Sequence, residues 1–150
     1  MREYGYDYIG GKKVPQLVIT EDYDLLGKHN GTIHVENGTL TINGKLNGTL
    51  DVQHAAKVII IGKQNGSVNL ESGALVIVHG EINGSTSLDA NSNLVIEAGG
   101  KLAGSLANYG KVILRGVFGG ARSGQGELVI EGNGYIKQPI IKDGISYYHW

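Results

Sequence analysis

The chain has 150 residues and no cysteine, and its 13 Lys+Arg against 14 Asp+Glu leave a formal net charge of −1. That length suits one domain with a buried core. The balanced charge lacks the basic footprint of a nucleic-acid binder, and without thiols there are no disulfides and no thiolate metal sites.

The N-terminal stretch MREYGYDYIGGKK has no apolar segment of the kind a secretory leader needs. The longest apolar runs, Val58 to Ile61 and Ala74 to Val78, are far too short to span a bilayer as helices. The expectation is a cytoplasmic protein without a membrane span. Tyr4, Tyr6, Tyr8 and Tyr23 lie in this part of the chain, around a strand-like run from Gln16 to Thr20. Residues 1–29 read as an N-terminal cap or an irregular first coil.

From residue 30 the sequence repeats. Aliphatic strand starts fall at Leu40, Val58, Val76, Leu94, Val112 and Leu128, spaced by 18 residues and finally by 16. A small residue follows each start by four: Gly44, Gly62, Gly80, Ala98, Gly116, Gly132. A second marker, Asn-Gly, recurs at Asn30, Asn47, Asn65 and Asn83, and decays to Ala103-Gly104 and Gly119-Gly120. Inside the long period runs a period of six: Leu40, Leu46, Val52, Val58, Gln64, Leu70, Val76, Ile82, Leu88, Leu94, interrupted as an aliphatic series only by Gln64. The phase slips around Glu97 to Lys101 and recovers at Leu106.

Six is no helical period. It fits three short strands per coil, each giving an inward aliphatic and then turning. The predicted fold is all-β: a single-stranded parallel β-helix, or β-solenoid, of about six coils of about 18 residues with capped ends. One domain covers 1–150, with the repeat core at 30–133 and a C-terminal cap at 134–150. Alternation puts Leu50 and Val52, then Val68 and Leu70, inside. Asn-Gly marks a corner, where glycine takes positive φ without steric cost. Its asparagines serve either as plain turn residues or as an inward amide ladder. The five sequons that result, at Asn30, Asn37, Asn47, Asn65 and Asn83, read as by-products of turn chemistry.

The C-terminal segment GYIKQPIIKDGISYYHW sets Asp143-Gly144 between two apolar runs and predicts a hairpin. Aromatic residues gather here: Tyr135, Tyr147, Tyr148 and Trp150. With Phe118 and Ile136 they are the candidate end-interface residues. The chemistry-bearing residues form no pattern. His29, His34, His54, His79 and His149 share no ligand spacing. Outward positions His34, Asp51, Asn69 and Ser87 follow one another on one face, and no paired carboxylates line a groove. No catalytic residue, metal site, cofactor or small-molecule substrate is assigned.

The phrases GKLNGTLDV, LVIVHGEINGSTSL and LVIEAGGKLAGSL, between Thr39 and about Gly120, resemble the bactofilins, bacterial cytoskeletal proteins that form polymers. That resemblance implies a right-handed β-helix without enzymatic activity that stacks head-to-head and tail-to-tail into filaments, without nucleotide. The folded aromatic flanks depart from the disordered tails usual in that family. The period of six, with small residues at Gly44, Ala56, Gly62, Ala74 and Gly80, also resembles the hexapeptide acyltransferases, which are left-handed trimers. No protruding loop carries the active-site histidine those enzymes need. Three functional expectations follow. The first is a self-associating scaffold, whose partner is itself. The second is a small protein-binding module, for example of the immunity or antitoxin kind. The third is an acyltransferase.

Overall fold

A computed structural model describes residues 4–148 and 150. Three parallel sheets of seven strands each wrap around one core. The first face holds Leu17–Ile19, Ile33–Val35, Leu50–Val52, Val68–Leu70, Thr86–Leu88, Leu106–Asn108 and Arg122–Ser123. The second holds Tyr23–Leu25, Thr39–Ile42, Lys57–Ile60, Leu75–Val78, Asn93–Ile96, Lys111–Leu114 and Glu127–Ile130. The third holds Lys28–Asn30, Lys45–Asn47, Lys63–Asn65, Glu81–Asn83, Lys101–Ala103, Val117–Gly119 and Tyr135–Ile136. The chain visits first, second and third face in turn, so each circuit is one rung of a β-solenoid.

There are seven rungs, not six. The run from Gln16 to Thr20 supplies the first strand of an additional rung, completed by Tyr23–Leu25 and Lys28–Asn30. The sequence offers this stretch as a cap or an irregular first coil; that it is a full rung was hidden because Tyr23-Asp24-Leu25 does not read as an aliphatic strand. The register places Leu25 on Ile42 all the same.

The period of six is the core. On the second face Leu40, Val58, Val76, Leu94 and Val112 stack in one column, and Ile42, Ile60, Val78, Ile96 and Leu114 in another. All ten are essentially inaccessible. The first face adds Ile33, Leu50, Val68 and Val35, Val52, Leu70; the third adds Leu46, Ile82, Leu102 and Phe118. Like side chains stack at one strand spacing, about 4.8 Å, and line the interior. Gln64 is the one amide in the third-face column, between Leu46 and Ile82. Its Nε2 donates to Gly48 O at 2.8 Å, while its Oε1 is buried without a partner.

The corners explain the glycines. A Cβ on Gly62 would overlap the carbonyl oxygen of Gly44 one rung below, and one on Gly80 would overlap that of Gly62. The column continues through Gly100, not Ala98, and Gly134, not Gly132, because the register pairs Lys101 with Glu81, Val117 with Lys101, and Tyr135 with Val117. Ala98 and Gly99 bulge outward as exposed residues, which is the phase slip seen in the sequence. The glycine of each Asn-Gly corner has positive φ, for instance +136° at Gly66 and +147° at Gly84.

Each end bears an antiparallel hairpin. Tyr6–Ile9 pairs with Lys12–Pro15, and Ile140–Lys142 pairs with Ile145–Tyr147. The second turns through Asp143 (φ +53°) and Gly144 (φ +75°), the two positive-φ positions of the tight turn that Asp-Gly favours. Among the described residues no helix is long and apolar enough to cross a membrane.

Candidate interaction surfaces

Each hairpin forms a sheet of its own, and neither adds a strand to any of the three faces. At the N-terminal end Leu17–Ile19, Tyr23–Leu25 and Lys28–Asn30 are therefore edge strands. At the C-terminal end Arg122–Ser123, Glu127–Ile130 and Tyr135–Ile136 are. Some side chains that would be interior in the middle of the stack emerge here, while Ile19 and Leu25 of the N-terminal edge strands stay buried. Ile130 follows the fully buried Leu114 in its column, yet it is 50% exposed. Tyr23, in the column of Leu40, is 45% exposed.

The N-terminal arm lies along the first face. Tyr4 stacks on His34 with ring centroids 3.6 Å apart, and its hydroxyl donates to Glu36 at 2.7 Å and accepts from Gln53. His34 sits with Nδ1 3.0 Å from Asp51 Oδ2 and Nε2 2.6 Å from Gln16 Oε1. Asp7 clamps the arm to the second rung, accepting from Thr32 N at 2.6 Å and Thr32 Oγ1 at 2.9 Å. Burial opposes its charge, but the bonds from Thr32 and Gln16 outweigh that and hold its carboxyl below the ordinary carboxylate range.

The C-terminal tail lies along the third face. Trp150 rests against Gly119, where a Cβ would meet the indole. The Nζ of Lys101 and Lys137 lie 4.3 and 5.1 Å from its ring centroid, within cation–π range.

The six candidate interface residues fall into three groups. Phe118 is interior, 1% exposed in the sixth rung, with half-buried Ile136 stacked on it from the seventh. It touches no solvent, because the final rung covers it. Tyr135 and Trp150 are exposed, near Lys137 on the third face. Tyr147 and Tyr148 line a shallow cleft of the C-terminal hairpin with Ile140, Lys142 and Asp143.

The asparagines settle as a ladder, on the outside of the third face. Asn47 Nδ2 donates to Asn30 Oδ1 at 3.0 Å, Asn65 to Asn47 at 3.0 Å, and Asn83 to Asn65 at 3.1 Å. The expected inward direction is corrected by alternation: Leu46, Gln64 and Ile82 point in, so the next residue points out. Beside the ladder Glu81 bridges Lys63 (3.0 Å) and Lys101 (3.5 Å). The Lys63 hydrogen bond, opposed by burial and helped by the lysine charges, holds the Glu81 carboxyl below its usual range.

His29, His34, His54 and His79 are dispersed. No three His, Cys, Asp or Glu among the described residues gather to hold a metal ion. His149 lies outside the described residues.

Sequence reasoning missed one surface. On the second face the outward positions Ile59, Ile77, Val95, Ile113 and Val129 stand in successive rungs, each partly exposed. The signal was in the strands KVII, LVIV, NLVI, KVIL and ELVI. They are apolar almost throughout, where a strand with one wet face should alternate.

Fold and surface define a parallel β-solenoid whose terminal strands have no ladder partner among the described residues. No family model matches the chain, and comparison with the curated proteins and with the solved structures gives no match.

Proposed function

We propose that this chain is a non-catalytic scaffold that acts by self-association, stacking end to end through its terminal rungs in the manner of bactofilins. One observation carries the reading: six edge strands, three at each end, have no partner from either hairpin among the described residues. A parallel edge strand offers a row of unpaired N–H and C=O groups to another chain. A solenoid end offers three such rows at once, around apolar side chains such as Ile130. Single-chain proteins usually cover these edges, so open ends fit a molecule whose cover is the next copy.

The test is a charge in the end plane. Ile130→Asp sets a carboxylate where the next rung would stack, and assembly measured by light scattering should fall to monomer. His79→Asp, at an exposed corner in mid-stack, should leave assembly unchanged. Equal assembly of both variants with the parent chain would end the proposal.

A second reading is favoured by the C-terminal hairpin, all of whose strand residues are exposed, including Ile140, Ile141, Ile145 and Tyr147. In that reading the hairpin is the contact of a protein-binding module. Deleting 138–150 separates the two: it abolishes binding in the second reading and leaves end stacking intact in the first.

A further inference from the structure

The two tails cover two of the three faces. Tyr4 and Asp7 lie on the first face, and Trp150 lies on the third. The second face carries neither, and it is the apolar one. One of its two outward columns is aliphatic over five rungs, Ile59, Ile77, Val95, Ile113 and Val129, and becomes polar below them at Thr41 and Asp24; the other holds Lys57, Leu75, Asn93, Lys111 and Glu127. Outward positions on the first face are His34, Asp51, Asn69 and Ser87. A strand that is apolar on both sides is the pattern of a sheet covered on both sides.

We propose that the second face pairs with the second face of another copy, with the two solenoid axes antiparallel and a two-fold axis through Val95. The stripe is symmetric about that residue. A two-fold axis parallel to the strands sets Ile59 against Val129, Ile77 against Ile113, and Val95 against itself, while Thr41 and Asp24 fall outside. The flanking charges choose the same arrangement. Lys57 and Glu127 are the outward residues that open the strands of the third and seventh rungs, and this axis brings them opposite each other twice. The other face-to-face pairing runs the two solenoids parallel, rung against equal rung. It would set Lys111 against Arg115 and Glu127 against Glu131, placing like charges together, which costs association. Near the chosen axis the two Glu97 side chains approach, and Arg115, which bonds Glu97 within each chain, supplies the counter-charge. A self-complementary stripe of this kind names a second copy as its occupant.

The stripe spans four strand spacings, about 19 Å, and is one outward residue wide on each strand, which is small for a stable interface. Pairing is weak between two single chains. It is reinforced when several chains are stacked end to end; that reinforcement rests on the proposed function, and the pairing itself does not.

The chain has no cysteine, so single cysteines report cleanly. Val95→Cys should give a covalent dimer with a bismaleimide about as long as the spacing of packed sheets, ~10 Å. Asn69→Cys, on the first face, should not. Ile59→Cys mixed with Val129→Cys should cross-link, and Ile59→Cys alone should not. End stacking holds Val95 of neighbouring chains at least about 24 Å apart, five strand spacings, so it cannot produce the Val95 dimer. Dimer from Val95→Cys in preparations with no larger assembly supports the pairing and counts against end stacking. Large assemblies without a Val95 cross-link overturn the pairing and leave end stacking intact. Cross-linking of Ile59→Cys alone as efficient as in the mixture also overturns the proposed axis.

Discussion

The asparagine ladder gives a perturbation whose size follows from counting bonds. Asn65 makes two amide bonds, to Asn47 and from Asn83, while Asn83 makes one in the ladder because Ala103 follows it. A net hydrogen bond contributes about 0.5–1.5 kcal/mol. These amides are only part-buried, so water takes up the groups left behind and no full desolvation penalty is added. Asn65→Ala should then cost about 1–3 kcal/mol and Asn83→Ala about half of that. The double variant loses the same two bonds as Asn65→Ala alone. Once the cycle cancels what each alanine does by itself, a coupling of about 0.5–1.5 kcal/mol should remain. Urea unfolding followed by far-ultraviolet circular dichroism measures it, as a shift in midpoint at constant slope. Strictly additive losses, or an Asn65 cost no larger than that of Asn83, would refute the ladder as a source of stability.

Other expectations rest on single groups. Thr86 stands in the first-face column between Val68 and Leu106, and its hydroxyl is buried without a partner. Thr86→Val keeps the shape and removes the stranded group, so it should stabilise by about 1 kcal/mol; a lower unfolding midpoint would contradict this. Asp7 has a depressed folded pKa, so its contribution is present above its ordinary value of 3.8 and lost as pH falls through the folded value. The protection of Thr32 N–H, measured against the intrinsic exchange rate at each pH, should fall in that acid range. Asp7→Asn should lower it already at neutral pH and flatten the profile, and an unchanged profile would remove Asp7 as the clamp.

The core was legible in the sequence because a stack of like rungs repeats one inward aliphatic every six residues. The corners were legible because Gly48, Gly66 and Gly84 sit at positive φ beneath another rung's backbone, which forces the Asn-Gly phrase to return. The first rung read only as a cap or an irregular coil because Tyr23 and His29 replace aliphatics where only one side of the stack must be filled. Ala98 and Gly132 were mistaken for stacked corners. A residue count carries no register, and the bulge at Ala98-Gly99 moves the stacked glycine to Gly100. The candidate surface was the least legible part. Phe118 was grouped with the end-interface residues, but a seventh rung buries it. The stripe through Val95 was written in the strands as missing alternation. It was read only as hydrophobicity too short to span a membrane.

The central claim is that the open terminal rungs bind further copies of the chain. Light scattering on size-exclusion fractions over a range of concentrations tests it most directly. End-to-end binding should give species heavier than 15.9 kDa that grow with concentration, and rods of constant width in electron micrographs of those fractions. A single species of 15.9 kDa at every concentration would contradict it.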